Sequence, residues 1–202
     1  PLAIPDFQTL MKPVLRSSTK GERHVSDVVA ELDQEFGLSA EERAELLPSG
    51  KQTTFANRVH WAKSYLKQAG LVKATRRGYF EITDMGRAVL SEDPDPLNAA
   101  YLKQFESFQE FQARGAAGQT DTADTAVSDG RTPDEILNAA YEEINAALAD
   151  DLLARLRESD PAFFEDIIVR LLLKMGYGYD ATAGRVIGQA GDDGVDGVIN
   201  LD

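Results

Sequence analysis

Residues 53–83 read TTFANRVHWAKSYLKQAGLVKATRRGYFEIT. On a helix of 3.6 residues per turn, Phe55, Val59, Ala62 and Leu66 share one face, and Asn57, His60, Trp61, Ser64 and Gln68 lie opposite. This stripe predicts an amphipathic helix whose apolar side packs on other helices. Thr53 or Thr54 can cap its start, and Gly70 can supply a left-handed stop. Two short β-like runs then flank Arg76-Arg77-Gly78, which is a hairpin signal.

Working outward, helical patterns cover Phe7–Leu15 and Ser26–Phe36, and SAEE, with Ser39 and Glu42 at capping-box spacing, opens a third. TDMGRAVL starts a further helix after the hairpin. Helices, then a polar and basic helix, then a basic-tipped hairpin: this is the order of a winged helix-turn-helix.

The charge distribution agrees. The net charge is −13, yet residues 1–90 carry 13 Lys and Arg against 11 Asp and Glu. Between Lys51 and Phe80 there are seven basic residues and no acid. Local potential governs nucleic-acid binding more than global charge does. The candidate DNA-binding residues are Lys51, Thr53, Thr54, Asn57, Arg58, His60, Trp61, Lys63, Ser64, Arg76 and Arg77. Asn57 can pair bidentately with adenine, Arg58 and Lys63 can neutralise phosphate, and the helix start at Thr53 and Thr54 suits an anion. Trp61 reads equally as a half-buried packing residue, and a solvated basic helix on a scaffold would share this composition.

The chain is long enough for two small domains. It has no cysteine, which excludes disulfides, zinc-thiolate sites and cysteine nucleophiles. No signal-peptide pattern or membrane-spanning run is present, so a cytoplasmic protein without a membrane partner is expected. The first residue is Pro1 rather than Met, as in a processed or engineered chain. Three regions are expected. Residues 1–92 form the DNA-binding domain, residues 93–131 a helix and a flexible linker, and residues 132–202 a further domain. In the last, TPDE and SDPAFFED carry helix-start signals, and Phe164, Ile167, Ile168, Leu171, Leu172 and Met175 form an apolar stripe. Two strands, RVIG and DGVINL, flank an acidic turn holding Asp192, Asp193 and Asp196. By itself that turn is an ordinary Asp-Gly surface turn, but Asp196 could bind a divalent metal, with Glu165 as a second ligand.

FFEDIIVRLLLKMGYGYDATAGRVIGQAGDDGVDGVINLD resembles the start of the Mrr-type endonuclease domain, a member of the PD-(D/E)xK nuclease superfamily. FANRVHWAKSYLKQAGLV and RGYFEITDMGR resemble the amino-terminal domain of Mrr restriction proteins. The resemblance implies a multi-domain, mostly α protein: a winged helix-turn-helix, a linker, and the helical start of an α/β endonuclease-like domain. It implies a type IV-like, modification-dependent restriction endonuclease that binds double-stranded, methylated DNA and works as a homo-oligomer. It further implies that Asp196 and Glu165 are catalytic and hold Mg²⁺. The family's next strand carries Gln or Glu, one residue, then Lys, and no such strand follows Asp202, so a truncated and self-inactive chain is expected. The alternatives are a winged-helix regulatory protein with a dimerisation domain, or an acidic half that is purely a scaffold.

Residues 114–131 are small, polar and without apolar periodicity, so they bury too little surface to offset ordering entropy. Limited proteolysis should cut there first, as mass spectrometry of the earliest fragments would show.

Overall fold

The computed structural model describes residues 4–116, 130–178, 183–186 and 197–200. They are mostly helical, and the chain divides into two compact units, Pro1–Tyr141 and Glu142–Asp202.

The first unit opens with α1 (Met11–Ser17), a 3₁₀ turn (Ser18–Lys20), β1 (Arg23–His24), α2 (Val25–Phe36) and α3 (Ala40–Ala44). The expected helix at Phe7 begins later, because residues before Met11 turn around Asp6, whose carboxylate accepts from the Gln8 and Thr9 amides. α2 ends at Gly37 in the left-handed conformation. At α3 the capping box forms in full: Ser39 Oγ accepts from the Glu42 amide, and Glu42 accepts from the Ser39 amide.

Next come α4 (Thr54–Gln68), β2 (Val72–Arg76), β3 (Tyr79–Ile82) and α5 (Asp84–Glu92). Thr53 caps α4 through the Ala56 amide. Phe55, Val59, Ala62 and Leu66 enter the core beside Leu10, Met11, Val14, Val28 and Leu32. β2 and β3 form an antiparallel hairpin closed at Gly78, with φ of 82°. β1 pairs on the far side of β3, giving the strand order β1-β3-β2. Phe80 and Ile82 alternate inward from β3 to seal the sheet onto the helices.

The core does not stop at Glu92. α6 (Ala99–Leu102) and α7 (Glu106–Ala116) supply Ala99, Leu102 and Phe108, and Leu97 joins them. Phe7, Tyr65, Phe108 and Phe111 make an edge-on and tilted aromatic cluster against α4. Residues 117–129, most of the expected linker, lie outside the described residues. α8 (Pro133–Glu158) then opens with the anticipated capping box at Thr132 and Glu135.

In the second unit, Asp160 caps α9 (Pro161–Lys174), and β4 (Gly184–Val186) pairs antiparallel with β5 (Gly197–Ile199). Val169 and Leu173 lie against Gly184, and Val169 against Gly197, so the two strands sit close on the helix. The anticipated apolar stripe of α9 is largely open in this chain. Val169 is buried, but Phe164, Ile168, Leu171 and Met175 are exposed. The acidic turn, with Asp192, Asp193 and Asp196, lies outside the described residues.

Gly86 is the tightest point of the first unit. A Cβ there would stand 2.1 Å from the Leu71 carbonyl oxygen, where α5 crosses the start of β2. Gly86→Ala should therefore destabilise the unit by about 1–3 kcal/mol through overpacking, measured as a lowered midpoint in urea unfolding.

Candidate nucleic-acid interface

The core-facing stripe of α4 dictates which side chains turn away from the core, and these divide along the helix into a covered half and an open half.

The covered half holds Asn57, Arg58 and Trp61. Asn57, expected to face base edges, is enclosed in this structure. Asn57 is 2% exposed. Its Oδ1 accepts from Thr132 Oγ1 at 2.8 Å, and its Nδ2 donates to Asp134 Oδ2 at 2.7 Å and to Gln52 Oε1 at 3.2 Å. Trp61 Nε1 donates to the same Asp134 oxygen at 3.0 Å, and its ring stands edge-on to Tyr65, so it is held as a packing residue. Arg58 is likewise engaged. It pairs with Glu135 Oε1 at 2.7 Å and donates to the Ile4 carbonyl at 2.6 Å. The side chains of this pair are 18% and 13% exposed. The bidirectional geometry satisfies every group: Asn57 supplies both donor and acceptor, and no buried side-chain nitrogen or oxygen among the described residues lacks a partner.

The open half is built by α4 and the hairpin together. Lys63 and Lys67 from α4 and Arg76, Arg77 and Tyr79 from the hairpin line a concavity of about 280 Å³. Lys67, Arg76 and Arg77 are exposed, and His60, Lys63 and Ser64 are half-buried. The Arg76 guanidinium lies 3.7 Å over the Tyr79 ring and pairs with Glu22 at 2.9 Å, which fixes its orientation beside the groove. Lys63 rests its ammonium 5.9 Å from the Phe80 ring centre. Burial, then the neighbouring Lys67, pulls the Lys63 ammonium below its ordinary range. His60 is lowered by burial first, then by Lys63 and His24. In both, burial is the larger cause and neighbouring positive charge adds to it. Of the other candidates, Lys51 is exposed, Thr53 is occupied as the cap, and Thr54 is buried with its amide on the Glu45 carbonyl.

Lys67 belongs to this groove and was not among the candidates, although the acid-free run contains it; its hairpin partners are what mark it. Thr132, Asp134 and Glu135 could not be found by local pattern, because they meet α4 across 73 to 77 positions of chain.

The second candidate site is in the other unit. Glu165 lines a concavity of about 170 Å³ with Phe164, Ile168, Val169, Leu172, Gly197 and Ile199. Gly197 directly follows Asp196, which lies outside the described residues. Asp166, next to Glu165, is paired instead with Arg170 at 2.7 Å. A carboxylate is the hard oxygen donor that a magnesium ion takes, so Glu165 fits that ligand by chemistry. Among the described residues no three acidic or histidine side chains converge as a metal cluster.

The lowered His60 value fixes the sign of a pH effect. Its neutral form is favoured in the folded chain, so stability is full above the unfolded value of about 6.5. It falls as pH drops from there through the lower folded value. His60→Gln should flatten that loss, seen as a shallower decline of urea midpoint below about pH 6.5.

The Mrr N-terminal domain family matches residues 7–92, and the restriction endonuclease family matches residues 156–202. No solved structure matches the chain. The type IV methyl-directed restriction enzyme EcoKMrr of Escherichia coli strain K12 is 30% identical over 213 residues, covering 100% of this chain and 69% of that enzyme. With both family models in the same order along the chain and identity running through its whole length, the chain belongs to the Mrr family of type IV restriction enzymes.

Proposed function

We propose that this chain docks on double-stranded DNA through the groove between α4 and the β2–β3 hairpin, and so directs a metal-dependent hydrolysis of phosphodiester bonds. The observation that carries this reading is the cluster of Lys63, Lys67, Arg76 and Arg77 around one concavity. We read residues 4–92 as a winged helix-turn-helix, with α4 as the recognition helix and the hairpin as the wing. The strand order β1-β3-β2, with α2 and α4 preceding the hairpin, supports that assignment. Phosphate oxygens set the register here, and base edges are read by whatever α4 presents to the groove.

The cutting site in this proposal is Asp196 with Glu165. Bound Mg²⁺ would polarise the phosphoryl oxygen and lower the pKa of an attacking water. The residues that would hold it are Glu165, on α9, and Asp196, which precedes β5 in the sequence. Homo-oligomerisation belongs to the same proposal, since cutting both strands of a duplex calls for two such centres. The relative is named methyl-directed. Methylated DNA is therefore the substrate class to test for this chain.

Lys63→Glu with Lys67→Glu should abolish duplex binding at moderate salt. Wild-type affinity should fall roughly a hundredfold from about 50 to about 200 mM salt if four phosphates are neutralised. Fluorescence anisotropy on a labelled duplex reads both, and salt-independent binding would sink the proposal. Phosphate beside His60 should favour its protonated form, so affinity should rise as the pH falls through the neutral range. For cutting, a protein with the complete catalytic domain should lose Mg²⁺-dependent plasmid cleavage on Asp196→Ala; undiminished cleavage would overturn the site.

A further inference from the structure

We propose that the acidic start of α8, Thr132–Glu135, is a built-in competitor for DNA that holds the amino-terminal half of α4 closed until the duplex displaces it. This rests on the reading of α4 as the DNA-facing helix.

Asn57, Arg58 and Trp61 are the donors that α4 carries away from the core in its first two turns. Each ends on a carboxylate oxygen of Asp134 or Glu135, at 2.7, 2.7 and 3.0 Å. A carboxylate is an acceptor-only anion, and so is a DNA phosphate, so the two satisfy the same donors in the same way. The exclusion is also steric. Thr132 is 0% exposed and seated on Asn57, so nothing else reaches that amide while the segment is in place.

The segment is a closely fitted cover with little apolar anchoring. Glu135 serves twice: Oε2 accepts from the Thr132 amide to cap α8, and Oε1 takes Arg58. Of Thr132–Glu135, only Thr132 is fully buried, and its contact to α4 is a hydrogen bond. Charge-assisted hydrogen bonds are what hold it, and these are the interactions a polyanion can exchange. The groove of Lys63, Lys67, Arg76 and Arg77 stays accessible meanwhile. Phosphates can therefore engage that groove first and raise the local anion concentration beside Arg58. The cover sets an affinity reduction equal to the fraction of chains in which it is closed.

Trp61 is the only tryptophan, and its indole is bonded to the cover, so its emission reports the contact directly. The experiment compares wild type with Asp134→Ala/Glu135→Ala on a labelled duplex at fixed salt. Lys67→Glu/Arg77→Glu is made in both backgrounds. The double alanine variant should bind about tenfold more tightly, with Trp61 emission red-shifted before any DNA is added. In wild type, saturating duplex should speed hydrogen exchange at the Glu135 and Ile136 amides, which bond to Thr132 in the free chain. That second measurement needs no substitution and stands if the variant folds poorly. Unchanged or weaker binding by a folded variant overturns the proposal, as does retained amide protection in DNA-saturated wild type. If Lys67→Glu/Arg77→Glu leaves affinity untouched, the DNA reading of α4 fails; if it weakens binding while the cover experiments show no response, the cover alone fails.

Discussion

The groove and the covered face of the first unit both depend on the rotation of α4 about its own axis. Phe55, Val59, Ala62 and Leu66 are almost wholly buried against α1 and α2, and a helix gripped along about three turns by one apolar stripe cannot roll. With that stripe set, the remaining side chains have assigned directions. Lys63 and Lys67 must face the hairpin, and Asn57 and Trp61 must face the start of α8. The hairpin is set by the same core, through Phe80 and Ile82 from its inner face. A shift of one residue in the helical register would carry lysines toward the core and apolar groups toward the groove.

Much of this was legible in the residues because it is local. Caps at Thr53 and Ser39, the stop at Gly70, the turn at Gly78 and the stripe of α4 each act within a few positions, and each is decided by sterics or by one hydrogen bond. What escaped is long-range. Asn57 looks like a surface residue on a helical wheel, and its burial comes from a segment 75 positions away. Leu97 and Phe108 showed a helical pattern without disclosing that their partners are Tyr65 and the α1 core. Periodicity says that a face is apolar and leaves open what covers it. The stripe on α9 makes the same point in reverse, since most of it is exposed here.

The two halves of α4 illustrate how a helix can satisfy buried polarity and still keep charge in reserve. Asn57 is affordable in the interior only because all its hydrogen-bonding capacity is met, and Arg58 only because a carboxylate and two carbonyls receive its guanidinium. Removing either acid would leave a mostly buried group wanting. Lys63 and His60 are handled differently. Burial depresses both first; Lys67 then adds to the shift at Lys63, and Lys63 and His24 to that at His60. The covered half has its anions supplied by Asp134 and Glu135; in the open half Arg76 has Glu22, and the lysines of α4 are depressed or exposed instead.

That asymmetry has a consequence for association. An incoming polyanion gains most where positive charge is uncompensated, because no internal ion pair must first be broken. At Lys63 and Lys67 it relieves repulsion as well as forming contacts. At Arg58 it must exchange one anion for another, and the net gain is the difference between two similar interactions. In the proposed mode, binding through the groove is therefore favoured by charge and is sequence-indifferent. In the same mode, contact at Asn57, an amide suited to bidentate pairing with a base, is conditional on displacing Asp134 and Thr132. Selectivity, if it is read at Asn57, is thereby placed behind a step that non-specific phosphate contact does not by itself complete.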